Sequence, residues 1–423
     1  MKKVLVRGPA LSRSGYGEHA RFVLRALRTR EDIFDIYLHS TNWGKTGWLW
    51  EQNEERQWID KLIHKNVAYV QSGGMFDMTI QVTIPNEWEK IAPVNIGVTA
   101  GIETTKVAPQ WIEKSQIVDH IITISEHSKN TFLNSVYQAH NEQTGEMIPN
   151  FRCTTPMDVV HYPVKDFEPA ELDIDFKTDF NFLTIAQISP RKNFVNTIKW
   201  FVEEFIDQPV GLVAKVSTIN NSTADRSHTK KTIEKMLGEY KNRKCKVYLL
   251  HGSMTDEEMT SLYQHPKIKA YLTLTHGEGF GLPIFEAAYN ELPIIAPDWS
   301  GHVDFLYAPV KDKKTGKEKV KAHFAKVKYT LQPIQKEAHW DGVLQKDSMW
   351  CYAEQGSYKM RLREMYKDYN RFKSDAKKLN KWIRKNFNAE TLYDKFCQYL
   401  LNYVDTTSNE EVDDMFQKLF QQA

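Results

Sequence analysis

Thr275-His276-Gly277-Glu278-Gly279-Phe280-Gly281-Leu282-Pro283-Ile284-Phe285-Glu286-Ala287-Ala288 decides the reading of this chain. An apolar strand pattern precedes it, and a helical pattern opens inside it. Three alternating glycines allow tight turns and close backbone approach. Pro283 suits a first helical turn, where a missing N–H costs nothing. The free N–H groups of that turn and the helix dipole make a site for an anion such as phosphate. Glu278 and Glu286 would repel a phosphate unless they point at hydroxyls, and a carboxylate can accept two from a vicinal diol. The segment therefore reads as a site for a ligand with both phosphate and sugar.

Outward from this motif the chain alternates strand and helix patterns. Strands are expected at Lys3–Val6, Ile33–His39, Val67–Val70, Met78–Ile84, Val94–Thr99, His120–Ile124 and Val159–Tyr162. Helices are expected at Glu18–Arg28 and Glu126–Tyr137, with Ser125 placed to cap the second. Pro163–Asp179 is acidic and lacks apolar periodicity, which marks a linker. A second block alternates from Phe182 to Ala296, and the chain is helical from Glu354. Strands separated by helices predict parallel sheets covered on both faces. The expected architecture is α/β, two doubly wound domains in tandem. The expected boundaries are residues 1–165, a linker at 166–180, a second domain at 181–386, and a terminal helical segment at 387–423.

Composition narrows the class. The chain has 423 residues, with 56 Lys and Arg against 54 Asp and Glu, a formal charge of +2. That balance excludes a polybasic protein. No apolar run approaches the ~20 residues of a membrane span, and no signal peptide is visible, so a cytoplasmic protein is expected. The four cysteines form no C-x-x-C and read as buried free thiols. The histidines have no metal-ligand spacing, and Asp173-Ile174-Asp175 lies in the linker, so no metal or other cofactor is expected. Lys311–Lys328 holds eight lysines and two acids. It reads as a solvated hairpin, or as a basic arm for an acidic acceptor.

Glu278 and Glu286, in Glu-Gly-Phe-Gly-Leu-Pro-Ile-Phe-Glu-Ala, resemble the signature of glycosyltransferase family 4. That resemblance implies the GT-B fold: two Rossmann-like domains facing across a cleft, with a C-terminal helix crossing back to the first. It implies metal-independent sugar transfer, hexosyl or pentosyl, from a nucleotide diphosphate donor with retention of configuration. UDP- or GDP-linked donors are the implied substrates. Glu286 would hold the ribose and Glu278 the donor sugar, with Gly279, Phe280, Gly281 and Leu282 close to sugar and diphosphate.

Ala186–Asn193 resembles the family's diphosphate-binding loop. Lys192 matches its lysine. Gln187 stands where the family has arginine, and the adjacent Arg191 is the candidate replacement. Fixed cations there would stabilise charge on the leaving diphosphate. Gly8–His19 matches the family's glycine-rich loop in the first domain, with Gly15 and Gly17 on the donor side. Tyr16 and His19 join Glu103, in Gly101–Thr105, as acceptor-side candidates, and Glu103 reads equally as a cap. A histidine common in the family near this point is missing.

The start of the chain, with Thr41-Asn42-Trp43-Gly44, is loosely similar to phage-encoded members. The expected acceptor is a glycan, lipid or polysaccharide precursor, or a hydroxymethylated base in DNA, the latter in a host cytoplasm. The contrasting expectation is a non-catalytic sugar-nucleotide-binding protein with a degenerate site.

Overall fold

The computed structural model describes residues 1–404, apart from 45, 141–144, 146 and 312–314. Two six-stranded parallel sheets dominate it. The first contains β1 (Lys2–Gly8), β2 (Phe34–Ser40), β3 (Met78–Val82), β4 (Val94–Thr99), β5 (His120–Thr123) and β6 (Met157–Val159). Their spatial order is β2-β1-β3-β4-β5-β6. The second contains β7 (Phe180–Gln187), β8 (Val210–Ser217), β9 (Lys246–Leu250), β10 (Ile268–Leu272), β11 (Ile294–Pro297) and β12 (Ala325–Val327). Its order is β9-β8-β7-β10-β11-β12.

The inner strands are near-continuous apolar runs because helices cover both faces. Val4, Val6, Ile80, Val82, Ile96 and Val98 are fully buried in the first sheet, as are Phe182, Leu183, Leu212, Val213 and Ala214 in the second. Each order reverses once, between β1 and β3 and between β7 and β10. Such switch points open a crevice beyond the carboxyl ends of the strands, where ligands bind in open α/β sheets. The loops after β1, β4, β7 and β10 are those that carry the motifs.

One expected strand is a helix. Val67–Val70 forms the last turn of Glu54–Gln71, which Asn53 caps and which buries Ile59 and Leu62. Val67 and Val70 lie on its exposed face, at 49% and 54%. Their β-branching was a weaker determinant than the cap and the buried stripe. The helix at Glu126 ends at Asn134, and Tyr137–His140 pairs with Met147–Phe151.

Residues 164–179 form neither helix nor strand. Asp175 there is exposed and pairs with Lys267 at 3.0 Å. In the lysine-rich stretch, Tyr307–Lys311 pairs antiparallel with Glu318–Ala322, a hairpin whose residues 312–314 lie outside the described ones.

Helices Gln355–Lys367 and Tyr369–Asn386 pack on the second sheet's side, and Ala389–Leu401 then crosses back to the first. Phe396 meets Phe22 edge to face at 5.6 Å, and the Cys397 thiol points to Ala26 O at 3.3 Å. All four cysteines are free and buried. No described helix is long and apolar enough to cross a membrane.

Candidate active site

A cleft of about 1200 Å³ lies between the two halves, at the carboxyl ends of both sheets. Its floor is where the halves touch. A Cβ on Gly277 would overlap Glu103 O, and one on Gly279 would overlap Ala100 O. These two glycines thus serve first to let the backbones of the halves meet. Gly281 has φ +93 and is the N-cap of helix Leu282–Tyr289, with Pro283 in its first turn. Phe280 turns inward against Tyr162, Phe285 and Phe305. Gly281, Leu282 and Pro283, the start of this helix, line the cleft.

Four charged groups converge on that floor. Lys192 Nζ donates to Glu278 Oε1 at 2.5 Å, and Arg191 Nη1 donates to Glu278 Oε2 at 3.1 Å. Arg191 also donates to Gly277 O at 2.6 Å and lies 3.3 Å from Glu103 Oε1. Pro190–Lys192 follows β7 as a single 3-10 turn that ends at Asn193, in the left-handed region at φ +49. That turn directs both cations at the Glu278 loop. Burial opposes ionisation of Glu278, but Lys192 and Arg191 outweigh it and hold the carboxyl down at about 2. Lys192 is lowered, because burial and the nearby Arg191 outweigh Glu278. Arg191 is raised: Glu103 and Glu278 overcome its burial.

Glu286 sits one helical turn away in a different setting. The Tyr263 hydroxyl donates to its Oε2 at 2.8 Å. Burial, reinforced by Asp256 and Glu18, lifts its carboxyl to about 7 against the pull of Lys165 and the Tyr263 bond. The two motif carboxylates are thus set apart, Glu278 firmly ionised and Glu286 near neutrality.

Gln187 lines the cleft, but its amide donates to Ile219 O at 3.2 Å and leaves the arginine position without a charge. Gly15 lines the cleft as expected. Ser14 caps the helix there, accepting the Gly17 N–H at 3.0 Å. Tyr16 lines the same wall, 2.8 Å from Thr99 Oγ1 and with its ring 4.2 Å from that of Trp43. Glu103 faces Arg191 rather than capping a helix.

Two expected positions do not reach the cleft. Gly17 is buried, and its missing side chain makes room for Ser12 O. His19 is fully buried beside Phe22 and Tyr162, and burial lowers its imidazole to about 3. It lies on the core stripe of its helix, four residues before Val23.

Other groups had no role assigned from the sequence. Lys165 reaches into the cleft and pairs with Glu18 at 3.1 Å. Asp304, in Ser300–Asp304, accepts the Glu126 N–H at 2.8 Å and lies 3.0 Å from His161 Nε2, tying the halves together. Residues 334–348 lie between the strands Tyr329–Pro333 and Met349–Ala353 and reach over to the first half. There Asn86 donates to Gly342 O at 2.9 Å, and Val343 packs in a cluster with Trp88 and Trp111. No signal in the sequence marks these contacts, which join residues more than 140 apart. Among the described residues no group of His, Cys, Asp or Glu could hold a metal ion.

Neither a protein-family model nor a curated protein matches the chain. Solved structures do. A glycosyltransferase from Rickettsia africae matches with TM-score 0.59 and 11% identity, over 96% of this chain and 99% of that one. HepE from Anabaena, in complex with UDP and glucose, gives 0.58 and 12%, over 95% and 100%. The lipopolysaccharide outer core galactosyltransferase WaaB gives 0.53 and 11%, over 95% and 99%. Two Rossmann-like halves facing across a cleft are the GT-B architecture of glycosyltransferases, and this chain has it.

Proposed function

We propose that the chain is a glycosyltransferase that moves a hexosyl or pentosyl group from a nucleotide diphosphate sugar to an acceptor hydroxyl. The observation that carries this is the convergence of Glu278, Glu286, Arg191, Lys192 and the start of helix Leu282–Tyr289 on one cleft wall. A phosphate-binding helix end beside two cations and two carboxylates matches a ligand with diphosphate at one end and hydroxyls at both. The GT-B fold and the family resemblance support the same reading. HepE binds UDP and glucose, which favours a UDP-linked donor here over a GDP-linked one.

In this reading residues 181–386 hold the donor and residues 1–165 the acceptor, with 166–180 as linker. Residues 387–404, the described part of the terminal segment, couple the halves. Glu286 accepts the ribose diol, and Glu278 takes hydroxyls of the donor sugar. Gly15 and the 279–282 backbone flank the diphosphate. Without donor, Arg191 and Lys192 are balanced by Glu278 and Glu103. The diphosphate brings negative charge to this cluster, and more accumulates as the bond from the anomeric carbon to phosphate oxygen breaks. The two cations stabilise that charge. The acceptor oxygen attacks from the same face, its proton passes to the departing phosphate oxygen, and nucleoside diphosphate leaves. This route retains configuration and needs neither a metal nor a dedicated protein base. Contact between the halves excludes water, which limits donor hydrolysis.

The test is release of nucleoside diphosphate from a panel of UDP- and GDP-sugars, with and without EDTA, by wild type and Glu286→Ala. Release that survives EDTA and falls in the variant supports the reading. Binding without release from any donor would favour a non-catalytic sugar-nucleotide protein, consistent with the uncharged Gln187.

A further inference from the structure

The outer part of the cleft carries aromatic surface that the donor does not explain. Trp50 and Trp340 both line it and are 61% and 55% exposed. Trp88, Trp111 and Trp350, by contrast, are essentially fully buried. An indole buries some 150–250 Å² when packed, so leaving two in solvent forgoes substantial stabilisation.

Both segments are held in place. The Trp50 loop is pinned to the chain after β1: Arg13 N–H donates to Gly47 O and Leu49 N–H to Leu11 O, each at 2.8 Å. The Arg13 guanidinium lies 5.8 Å from the Trp50 ring centre and pairs with Glu51. Trp340 comes from the other half, at the start of a turn closed by Val343 N–H to Trp340 O at 2.9 Å. Asn86 anchors that turn through Gly342. The cleft lining thus carries one exposed indole from each half.

Charge decides what would stack there. Among the described lining residues are eight carboxylates and six basic side chains. All six bases are already paired: Arg13 with Glu51, Arg21 and Lys165 with Glu18, Arg25 with Glu18 and Glu55, and Arg191 and Lys192 with Glu278. No described residue of the lysine-rich hairpin lines the cleft. A polynucleotide is bound by cations that replace its counterions; apart from Arg191 and Lys192, which the donor occupies in the reading above, the four remaining bases each face a carboxylate, and along this wall the carboxylates outnumber the bases. A sugar ring fits it better. Its axial C–H groups suit the negative face of an indole, and its hydroxyls find acceptors in Glu51 and Gln52 beside Trp50.

We infer that the acceptor is a carbohydrate, bound with a pyranose ring against Trp50 and a second contact on Trp340. The inference rests on the glycosyltransferase reading above. The experiment uses full-length protein, a labelled donor and two acceptor sets: oligosaccharides tagged at the reducing end, and duplex DNA containing 5-hydroxymethylcytosine. Label should pass to at least one oligosaccharide. Trp50→Ala and Trp340→Ala should each raise the oligosaccharide KM about tenfold, the scale of one aromatic contact, with kcat within about twofold. Trp50→Phe and Trp340→Phe should restore most of the loss, and the rise in KM with kcat held is the split that a purely structural role would not produce.

Label on the DNA and on no oligosaccharide would overturn the inference, as would an unchanged KM in both alanine variants. Wild type that releases nucleoside diphosphate yet labels no oligosaccharide also overturns it and leaves the donor reading standing. Wild type that releases none from any donor contradicts the donor reading itself.

Discussion

Arg191 Nη2 lies 3.3 Å from Glu103 Oε1, and the two residues come from opposite halves of the chain. The same guanidinium holds Glu278 at 3.1 Å. One side chain therefore joins the glycine-rich loop at 277–281, the turn Pro190–Lys192 and the loop after β4. In the proposed reading, closure and donor binding meet at this group.

Glu103→Gln should loosen that contact. The pair is about a quarter exposed on each side, so its worth is within about 1 kcal/mol, or up to roughly fivefold in the closed population. Small-angle scattering without ligand should show a larger radius of gyration, and the donor KM should rise by no more than that factor. An unchanged radius and KM would assign the contact no role in closure.

Gly279→Ala tests the floor of the cleft more severely. The added methyl overlaps Ala100 O, which is backbone of the other half and cannot swing aside. The halves should stay folded but no longer seat, and kcat should fall by about 10–100-fold through misplacement of the reacting groups. Wild-type turnover in this variant would show that the close approach of Gly279 to Ala100 is absent from the working state.

Glu286 predicts a pH effect on stability. Its carboxyl is raised to about 7, chiefly by burial. The folded chain therefore holds this proton more tightly than the unfolded chain does. That contribution is fully present below about pH 4.5 and is lost as pH rises through 7. Glu286→Gln, which cannot ionise, should gain stability relative to wild type between pH 5 and pH 8, by a few kcal/mol at most. Paired thermal melts across this range measure it. A gap between the two that is constant with pH would contradict the raised carboxyl.

Lys192→Ala should lower kcat more than it weakens donor binding, because the charge it meets grows only as the glycosidic bond breaks. Steady-state kinetics together with direct titration of nucleoside diphosphate separate the two. A pure KM effect would move Lys192 from catalysis to binding.

The fold was legible where local chemistry decides it. The β-rich runs from Phe182 to Ala296 placed five strands of the second sheet, whereas its sixth, Ala325–Val327, lies in the lysine-rich stretch read as a solvated hairpin and is buried against Ile294–Pro297. Lys192 and the two glutamates fell on one wall because loops at a switch point must converge there. The failures share a cause: His19, Gly17 and the Val67–Val70 turn depend on what packs against them. The alliances of Arg191 with Glu103, Lys165 with Glu18, and Asp304 with Glu126 link distant residues, and nothing in their local sequence announces them. The strap at 334–348 is polar enough to read as a loop, and only its seat on Trp88 and Trp111 gives it a role.

The central claim, a nucleoside-diphosphate site built on Glu286 and the Leu282 helix, is tested most directly by a thermal shift. Wild type and Glu286→Ala would be melted with UDP and GDP, with and without EDTA. At a hundredfold excess over Kd a ligand stabilises by ~2.7 kcal/mol, a readily measured rise. Loss of the ribose bond should weaken binding by ~1.5–3 kcal/mol. The account predicts a rise with UDP that EDTA does not alter and that largely disappears in Glu286→Ala. No rise with either nucleotide, or an equal rise in the variant, would contradict it.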